Sequence, residues 1–154
     1  MYGVSRLDVC EDVAAVTFSR IPPDIGLISE IFLSFGEAGI NIDMVTQTSP
    51  VGDAVDIAFT CLDKDLRAVL DISRGLREKY PRIKSLVSSG NCKIQLYGEE
   101  MREMCGVFAR VLSVLARIGV EPQLIATSEV DISLLLTAVN AEPARRALQE
   151  EFLL

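Results

Sequence analysis

The stretch "FGEAGINIDMVTQT" at residues 35–48 joins a helix end to the start of a strand. Gly39 stands where a helix commonly ends in a left-handed residue. Alternating apolar and polar side chains follow it, as in a half-buried strand. One helix face upstream is marked by apolar residues at helical spacing, Ile28, Ile31, Phe32 and Phe35. The stretch therefore predicts a helix, a tight turn and a strand.

The same layout returns later in the chain, in "LARIGVEPQLIATS" at residues 115–128. Gly106 and Gly119 bracket the second helix as Gly26 and Gly39 bracket the first. The apolar stripe recurs eighty residues on, at Phe108, Val111, Leu112 and Leu115. We interpret the chain as a tandem duplication.

The first copy contains four predicted strands and two predicted helices. The strands are "VAAVTFSR" at 13–20, "INIDMVTQT" at 40–48, "AVDIAFTCL" at 54–62 and "IKSLVSS" at 83–89. Asp63 is expected to cap the second helix. The inner face of that helix is expected to be Leu66, Val69, Leu70 and Leu76.

The second copy contains only three predicted strands. They are "NCKIQLYG" at 91–98 and two more within residues 123–139, joined by a tight connection. Asn140 is expected to cap the last helix. The inner face of that helix is expected to be Ala144, Ala147, Leu148 and Phe152. A three-stranded sheet would leave an edge open, so we expect residues 2–10 to supply its fourth strand.

This order of elements predicts an α+β protein. It consists of two ferredoxin-like β-α-β-β-α-β domains in tandem, each an antiparallel sheet with its helices on one face. The first domain is expected at residues 11–90 and the second at 91–154, completed by the strand at 2–10.

Composition excludes several function classes. The 154 residues carry a net charge of −7 and no histidine, which argues against nucleic-acid and membrane surfaces and against a histidine base. Cys10, Cys61 and Cys92 lie in strand-like runs without CxxC spacing, so buried free thiols in the cytoplasm are expected. No metal cluster or catalytic constellation is visible, so we expect neither a metal nor an enzyme.

The residues alone leave the site open between two interpretations. The loops "IPPDIG" at 21–26 and "EEMREMCG" at 99–106 lead into helix starts, whose N–H groups suit a carboxylate. Asp43 could then hold the ammonium group of the same amino acid. The alternative is that Asp24 simply caps the helix and Asp43 faces solvent.

Longer stretches resemble a known family. Residues 13–61, with "INIDMVTQ" followed by "DIAFTC", resemble the first ACT domain of aspartokinase regulatory regions. Residues 101–136, with "TSE" and then "IS", resemble the second. The resemblance covers essentially the whole chain, and no kinase domain is seen before Met1. It implies a pair of ACT domains that binds an end-product amino acid, lysine or threonine, between chains.

The resemblance also implies the site residues. In the first copy the matching positions are Asp24, Ile25, Gly26, Leu27, Asn41, Ile42, Asp43 and Gln47. In the second copy Thr127, Ser128 and Glu129 are candidate interface contacts. The second copy departs from the family at Glu121 and Pro122, because proline has no N–H to donate and the glutamate would repel a carboxylate. We therefore expect the first copy to bind the ligand.

Three functions follow as hypotheses. The first is a regulatory amino-acid-binding protein that forms a homodimer and acts either as a free regulatory subunit with an aspartokinase catalytic subunit or as a stand-alone sensor. The second is an ACT dimerisation module without a ligand. The third, a small enzyme, is disfavoured by the lack of histidine and of a phosphate-binding GxxxxGK loop.

Overall fold

The computed structural model describes residues 2–154 and has an α+β fold. Its strands are β1 (Arg6–Ile21), β2 (Val45–Gln47), β3 (Val55–Leu62), β4 (Lys84–Tyr97), β5 (Leu124–Thr127) and β6 (Asp131–Thr137). Its helices are α1 (Ile25–Glu37), α2 (Leu66–Lys79), α3 (Val107–Arg117) and α4 (Ala138–Phe152). Short 3₁₀ segments precede α2 at Asp63–Asp65 and α3 at Glu99–Glu103. The chain divides into two compact units, Asp12–Ser89 and the residues up to Glu11 with Gly90–Leu154.

In the Asp12–Ser89 unit the strands lie in the order β2-β3-β1-β4, and β3 is antiparallel to both its neighbours β1 and β2. The buried side chains of α1 recur at helical spacing, and they belong to the same core cluster as buried residues of β1 and β3. Four phenylalanine rings form the centre of the core, with centroids 5.2 to 6.5 Å apart. They are Phe18, Phe32, Phe35 and Phe59.

In the other unit the order is β1-β4-β6-β5, and β6 is antiparallel to both β4 and β5. The N-terminal segment lies along β4, where the Ser5 N–H donates to the Tyr97 carbonyl at 2.8 Å. Val4 is buried in the same core as Leu134 and Leu148. The first residues of the chain therefore belong to the core of the second half of the sequence.

The helix ends repeat between the units. Gly39 and Gly119 have φ of 73° and 67°, the left-handed conformation predicted for them. The Ile40 N–H donates to the Phe35 carbonyl at 2.9 Å, and the Val120 N–H donates to the Leu115 carbonyl at 3.0 Å. Both helices thus end in the same Schellman-type turn with a buried residue behind the glycine.

Two long strands replace four predicted short ones. The segments at 2–10 and 13–20 merge into β1 (Arg6–Ile21), and those at 83–89 and 91–98 merge into β4 (Lys84–Tyr97). Asp12 and Gly90 have φ of 55° and 67°. A single residue with positive φ can bend a strand without ending it. The sequence pattern suggested a break at these positions instead. In the other direction, the strand predicted from residue 40 is reduced to Val45–Gln47.

Both predicted caps were wrong. α2 has Asp65 at its N-cap rather than Asp63, because the 3₁₀ turn Asp63–Asp65 comes first. α4 already begins at Ala138 with Thr137 at its N-cap, so Asn140 lies inside the helix. The apolar strand β6 runs directly into α4, and no connecting loop remains for a cap to mark.

Two burial predictions also failed. Leu70 is only partly buried, and on α2 the buried residues are Val69 and Ser73. Cys10 is exposed, whereas Cys61 and Cys92 are buried as expected. Burial raises the pKa of the Cys61 thiol to about 11, reinforced by Asp65 and Asp63, so this thiol is poorly reactive.

Candidate functional site

The start of α1 is occupied by a side chain of the protein itself. Oδ1 of Asp24 accepts a hydrogen bond from the Gly26 N–H at 2.9 Å, which makes Asp24 the N-cap. Ile25 is 79% exposed, whereas Leu27 is buried in the core. A ligand carboxylate bound at this helix end would lie beside the Asp24 carboxylate. Because the Leu27 side chain is buried, only the backbone of Leu27 could contact such a ligand.

The segment before β2 presents the second group of predicted residues. Asn41 and Asp43 are exposed, and Ile42 packs partly buried against the core. The Asp43 N–H donates to the Thr60 carbonyl at 3.1 Å, which holds this segment along β3. Gln47 is exposed at the far end of β2, paired with Ile57.

Asp24 does not meet Asn41 and Asp43 within one chain. Asp24 stands before the first residue of α1, and Asn41 and Asp43 follow its last turn. The 13 residues of the helix span about 20 Å at 1.5 Å per residue. An amino acid is far shorter than that distance. A ligand that contacts both groups would therefore require residues from two chains.

A cavity of about 510 Å³ lies at the start of α3, in the other unit. Gly106 has a φ of 87° at the N-cap of this helix, so the chain turns sharply into it. Thr127, Ser128 and Glu129, predicted as interface contacts, all line the cavity. The remaining lining residues are Met101, Arg102, Glu103, Met104, Gly106, Val107, Phe108 and Ile132.

The lining offers both signs of charge beside an apolar wall. Arg102 lies 3.8 Å from Glu129 and 3.7 Å from Glu99, with all three side chains more than half exposed. Such exposed ion pairs are weak, so the guanidinium and a carboxylate remain available to a zwitterion. Ser128 shapes the rim, since its Oγ accepts the Val130 N–H at 3.2 Å. The cavity can chemically accommodate a small amino acid.

Glu121 and Pro122 do not line this cavity. They follow the C-terminal turn of α3, whose 11 residues span about 17 Å. The missing N–H of Pro122 and the charge of Glu121 therefore affect the opposite end of α3 from the cavity. Sequence reasoning missed Arg102, Met101 and Phe108 as neighbours of Thr127. The topology could have indicated them, because the β4–α3 and β5–β6 connections lie at one end of a ferredoxin-like sheet.

Three further features of residues 2–154 concern metal binding, membrane insertion and ion pairing. No cluster of three or more His, Cys, Asp or Glu side chains suited to a metal occurs in this part of the chain. None of the helices described there is long and apolar enough to cross a bilayer. Glu151 is held by Arg110 at 2.6 Å and Arg117 at 3.0 Å, which lowers the pKa of its carboxyl. This ion pair joins α3 to α4 and is structural.

Known proteins resemble the chain in sequence and in fold. Residues 94–152 match the family model of the ACT domain. The aspartokinase of Corynebacterium glutamicum is 36% identical over 141 residues, which is 90% of this chain and 34% of that protein. The chain thus spans about a third of the curated relatives it matches.

Solved structures extend the similarity to nearly the full length. The regulatory subunit of aspartate kinase from Thermus thermophilus, in its ligand-free form, superimposes with a TM-score of 0.88 at 26% identity, covering 97% of this chain and 99% of that one. A structure of aspartokinase alpha and beta subunits gives a TM-score of 0.83 at 27% identity, with 98% and 99% covered. Residues 94–152 are therefore similar to an ACT domain, and the chain as a whole is similar to the regulatory subunit of aspartate kinase.

Proposed function

We propose that this protein is an allosteric regulatory unit that binds an end-product amino acid, lysine or threonine, and regulates an aspartokinase catalytic subunit in the cytoplasm. It acts by binding and not by catalysis. The observation that carries the proposal is the cavity at the start of α3, which is lined by Thr127–Glu129 and belongs to a region matched by the ACT family model.

We further propose two ferredoxin-like ACT domains, at 11–90 and at 91–154 completed by residues 2–10. The strand order supports this division. In both units, the strand after the first helix lies at the edge, followed by its hairpin partner and then by the first strand of the unit. The fourth strand comes last in each unit, from β4 in one and from β1 in the other. The two matching helix ends support a duplication as well.

The first-copy site, in this proposal, is completed by a second copy of the chain. Asp24, Ile25, Gly26 and Leu27 would come from one protomer, and Asn41, Ile42 and Asp43 with Gln47 from the other. The separation along α1 supports this, since one chain cannot bring both groups to one ligand. A homodimer is the simplest assembly that does so.

Differential scanning fluorimetry against the twenty amino acids tests the binding. A ligand at a hundred times its Kd would add about 2.7 kcal/mol to the free energy of unfolding, which raises the Tm by several degrees at this size. If no amino acid at millimolar concentration raises the Tm, the proposal is wrong.

Two variants separate the two candidate sites. Asp43→Asn removes the charge proposed to hold the ammonium group in the first copy, and Arg102→Gln removes the cation of the second cavity. Arg146→Gln, on the exposed surface of α4, is the matched control. The variant that abolishes the Tm response identifies the site, whereas an unchanged response in both variants contradicts both assignments.

One observation favours a second candidate function. The Asp24 side chain already accepts a hydrogen bond at the start of α1, where a ligand carboxylate would bind. In the second candidate function the first copy therefore binds no ligand and serves only to associate protomers. Light scattering distinguishes this dimerisation module from the sensor: a dimer without any amino-acid response indicates the module. A particle of 16.8 kDa, with and without ligand, would contradict both.

A further inference from the structure

A second cavity, of about 690 Å³, lies within the Asp12–Ser89 unit. Three connections form it: the end of β1 with the loop to α1, the turn between β2 and β3, and the link from α2 to β4. Its volume is within the usual range for small-molecule sites. Pro22, Pro23 and Pro81 stiffen the loops around it. Its shape is therefore largely formed before any ligand arrives.

The charge of this cavity is opposite to that of the whole chain. Arg20, Lys79 and Arg82 line it, and Asp53 is the one carboxylate among its described lining residues. Asp53 lies 3.7 Å from Arg82, but both side chains are at least 85% exposed, so the pair is weak. The lining thus carries a surplus of positive charge in a protein whose net charge is −7.

The backbone at Arg20 is unusual for an arginine. Its φ is 62°, in the left-handed region, at an irregularity of the β1–β3 register between Phe18 and Ile21. The Arg20 N–H donates to Oδ1 of Asp56 at 3.2 Å, which holds the conformation. Bulges of this kind redirect a side chain, and a left-handed residue other than glycine costs free energy. The strained residue, Arg20, is one that lines the cavity.

The rest of the lining is apolar. Val51 is 82% exposed although its side chain is aliphatic, and Tyr80, Ile83 and three prolines complete the wall. A zwitterion fits poorly, since its ammonium group would face the cations. Inorganic phosphate would leave the apolar wall without a partner.

We infer that this cavity binds a small organic anion: a carboxylate with an apolar body and no ammonium group. Arg20 and Arg82 bind the carboxylate, and Val51 and Tyr80 contact the apolar body. The inference is independent of the proposed amino-acid sites, because none of the proposed effector residues lines this cavity.

Three probes of one shape and different charge test it on the full chain. They are 3-phenylpropanoate, its neutral amide and zwitterionic phenylalanine. In ¹⁵N–¹H spectra, 3-phenylpropanoate is expected to shift the amide signals of Val51, Ala54 and Arg82, with the amide and phenylalanine binding about tenfold more weakly. Equal binding of all three, or no binding of the anion at millimolar concentration, overturns the inference.

Variants then locate the site. Arg20→Gln and Arg82→Gln should each weaken binding of 3-phenylpropanoate about tenfold, whereas Arg74→Gln, exposed on α2, should not. Val51→Asp places a negative charge on an exposed side chain, so the fold is preserved and binding should be lost. Unchanged binding in Val51→Asp contradicts the inference, whatever the arginine variants do to stability.

Discussion

At the scale of single residues, two threonines with buried hydroxyl oxygens differ in the partners of those hydroxyl groups. Oγ1 of Thr60 accepts the Met44 N–H at 3.0 Å in the core. Oγ1 of Thr137, at the junction of β6 and α4, is buried and has no hydrogen-bond partner among residues 2–154. A buried hydroxyl without a partner costs free energy, whereas a satisfied one protects its partner from that cost.

Thr137→Val should therefore leave the free energy of unfolding unchanged or raise it by about 1 kcal/mol. Thr60→Val is the matched control, and it should lower the free energy of unfolding by about 1–3 kcal/mol because the Met44 N–H loses its acceptor. Urea denaturation measures both. A Thr137→Val protein that is as unstable as Thr60→Val would show that the Thr137 hydroxyl has a partner.

At the scale of elements, the end of α1 places two glycines in different conformations. Gly39 has a φ of 73°, while Gly36 lies within the helix with no atom within 4 Å of an added Cβ. The sequence pattern that ends the helix at Gly39 predicts this difference. The Schellman-type turn assigns the left-handed position to Gly39 alone.

Gly39→Ala should lower the free energy of unfolding by about 1–2 kcal/mol, because alanine is strained in the left-handed region. Gly36→Ala should raise the free energy of unfolding by about 0.5–1 kcal/mol, because alanine favours helix and meets no obstacle. Thermal unfolding compares the two variants. Opposite signs are the expected result, and equal signs would argue against the assigned helix end.

The ion pair between α3 and α4 has a pH dependence of defined sign. Hydrogen bonds from Arg110 and Arg117 lower the pKa of Glu151 in the folded state. Because this pKa is lower in the folded than in the unfolded protein, the carboxylate stabilises the fold at pH values above the ordinary carboxyl pKa. That stabilisation is lost as the pH falls through the folded-state pKa. The Tm difference between the native protein and Glu151→Gln should be largest above about pH 5. It should decrease towards zero as the solution is acidified. Glu78→Gln, exposed on α2, serves as the control, and a Tm difference that widens in acid would contradict the sign.

At the scale of the whole molecule, the N-terminal segment is part of the core of residues 90–154. A Cβ on Gly98 would lie 1.9 Å from the Gly3 carbonyl oxygen, so the two backbones pass in direct contact. The Arg110 guanidinium lies 4.3 Å from the ring centroid of Tyr2. Because of these contacts, the folding of residues 90–154 depends on the first residues of the chain.

Gly98→Ala should displace the N-terminal segment and destabilise residues 90–154, as should deletion of residues 1–10. Gly75→Ala, on α2 with no atom within 4 Å of the added Cβ, is the control. Hydrogen exchange measures the outcome: faster exchange is expected at Leu112 and Leu134. Faster exchange confined to residues 13–35 would refute the role of this segment.

Several elements could be predicted from the amino-acid sequence because they depend on local pattern. The helical stripe ending at Phe35, the left-handed glycines and the apolar strands were predictable, because side-chain spacing and backbone freedom act within a few residues. The resemblance to aspartokinase regulatory regions was also visible in the letters.

Features that depend on residues distant in sequence became visible only in the folded protein. Asp12 and Gly90 lie within β1 and β4, although the sequence pattern predicted a break at each position. Asn140 failed as a cap because β6 joins α4 without a loop. The cavity beside Thr127 arises from the packing of whole elements. Local pattern carries no information about which ends of those elements meet.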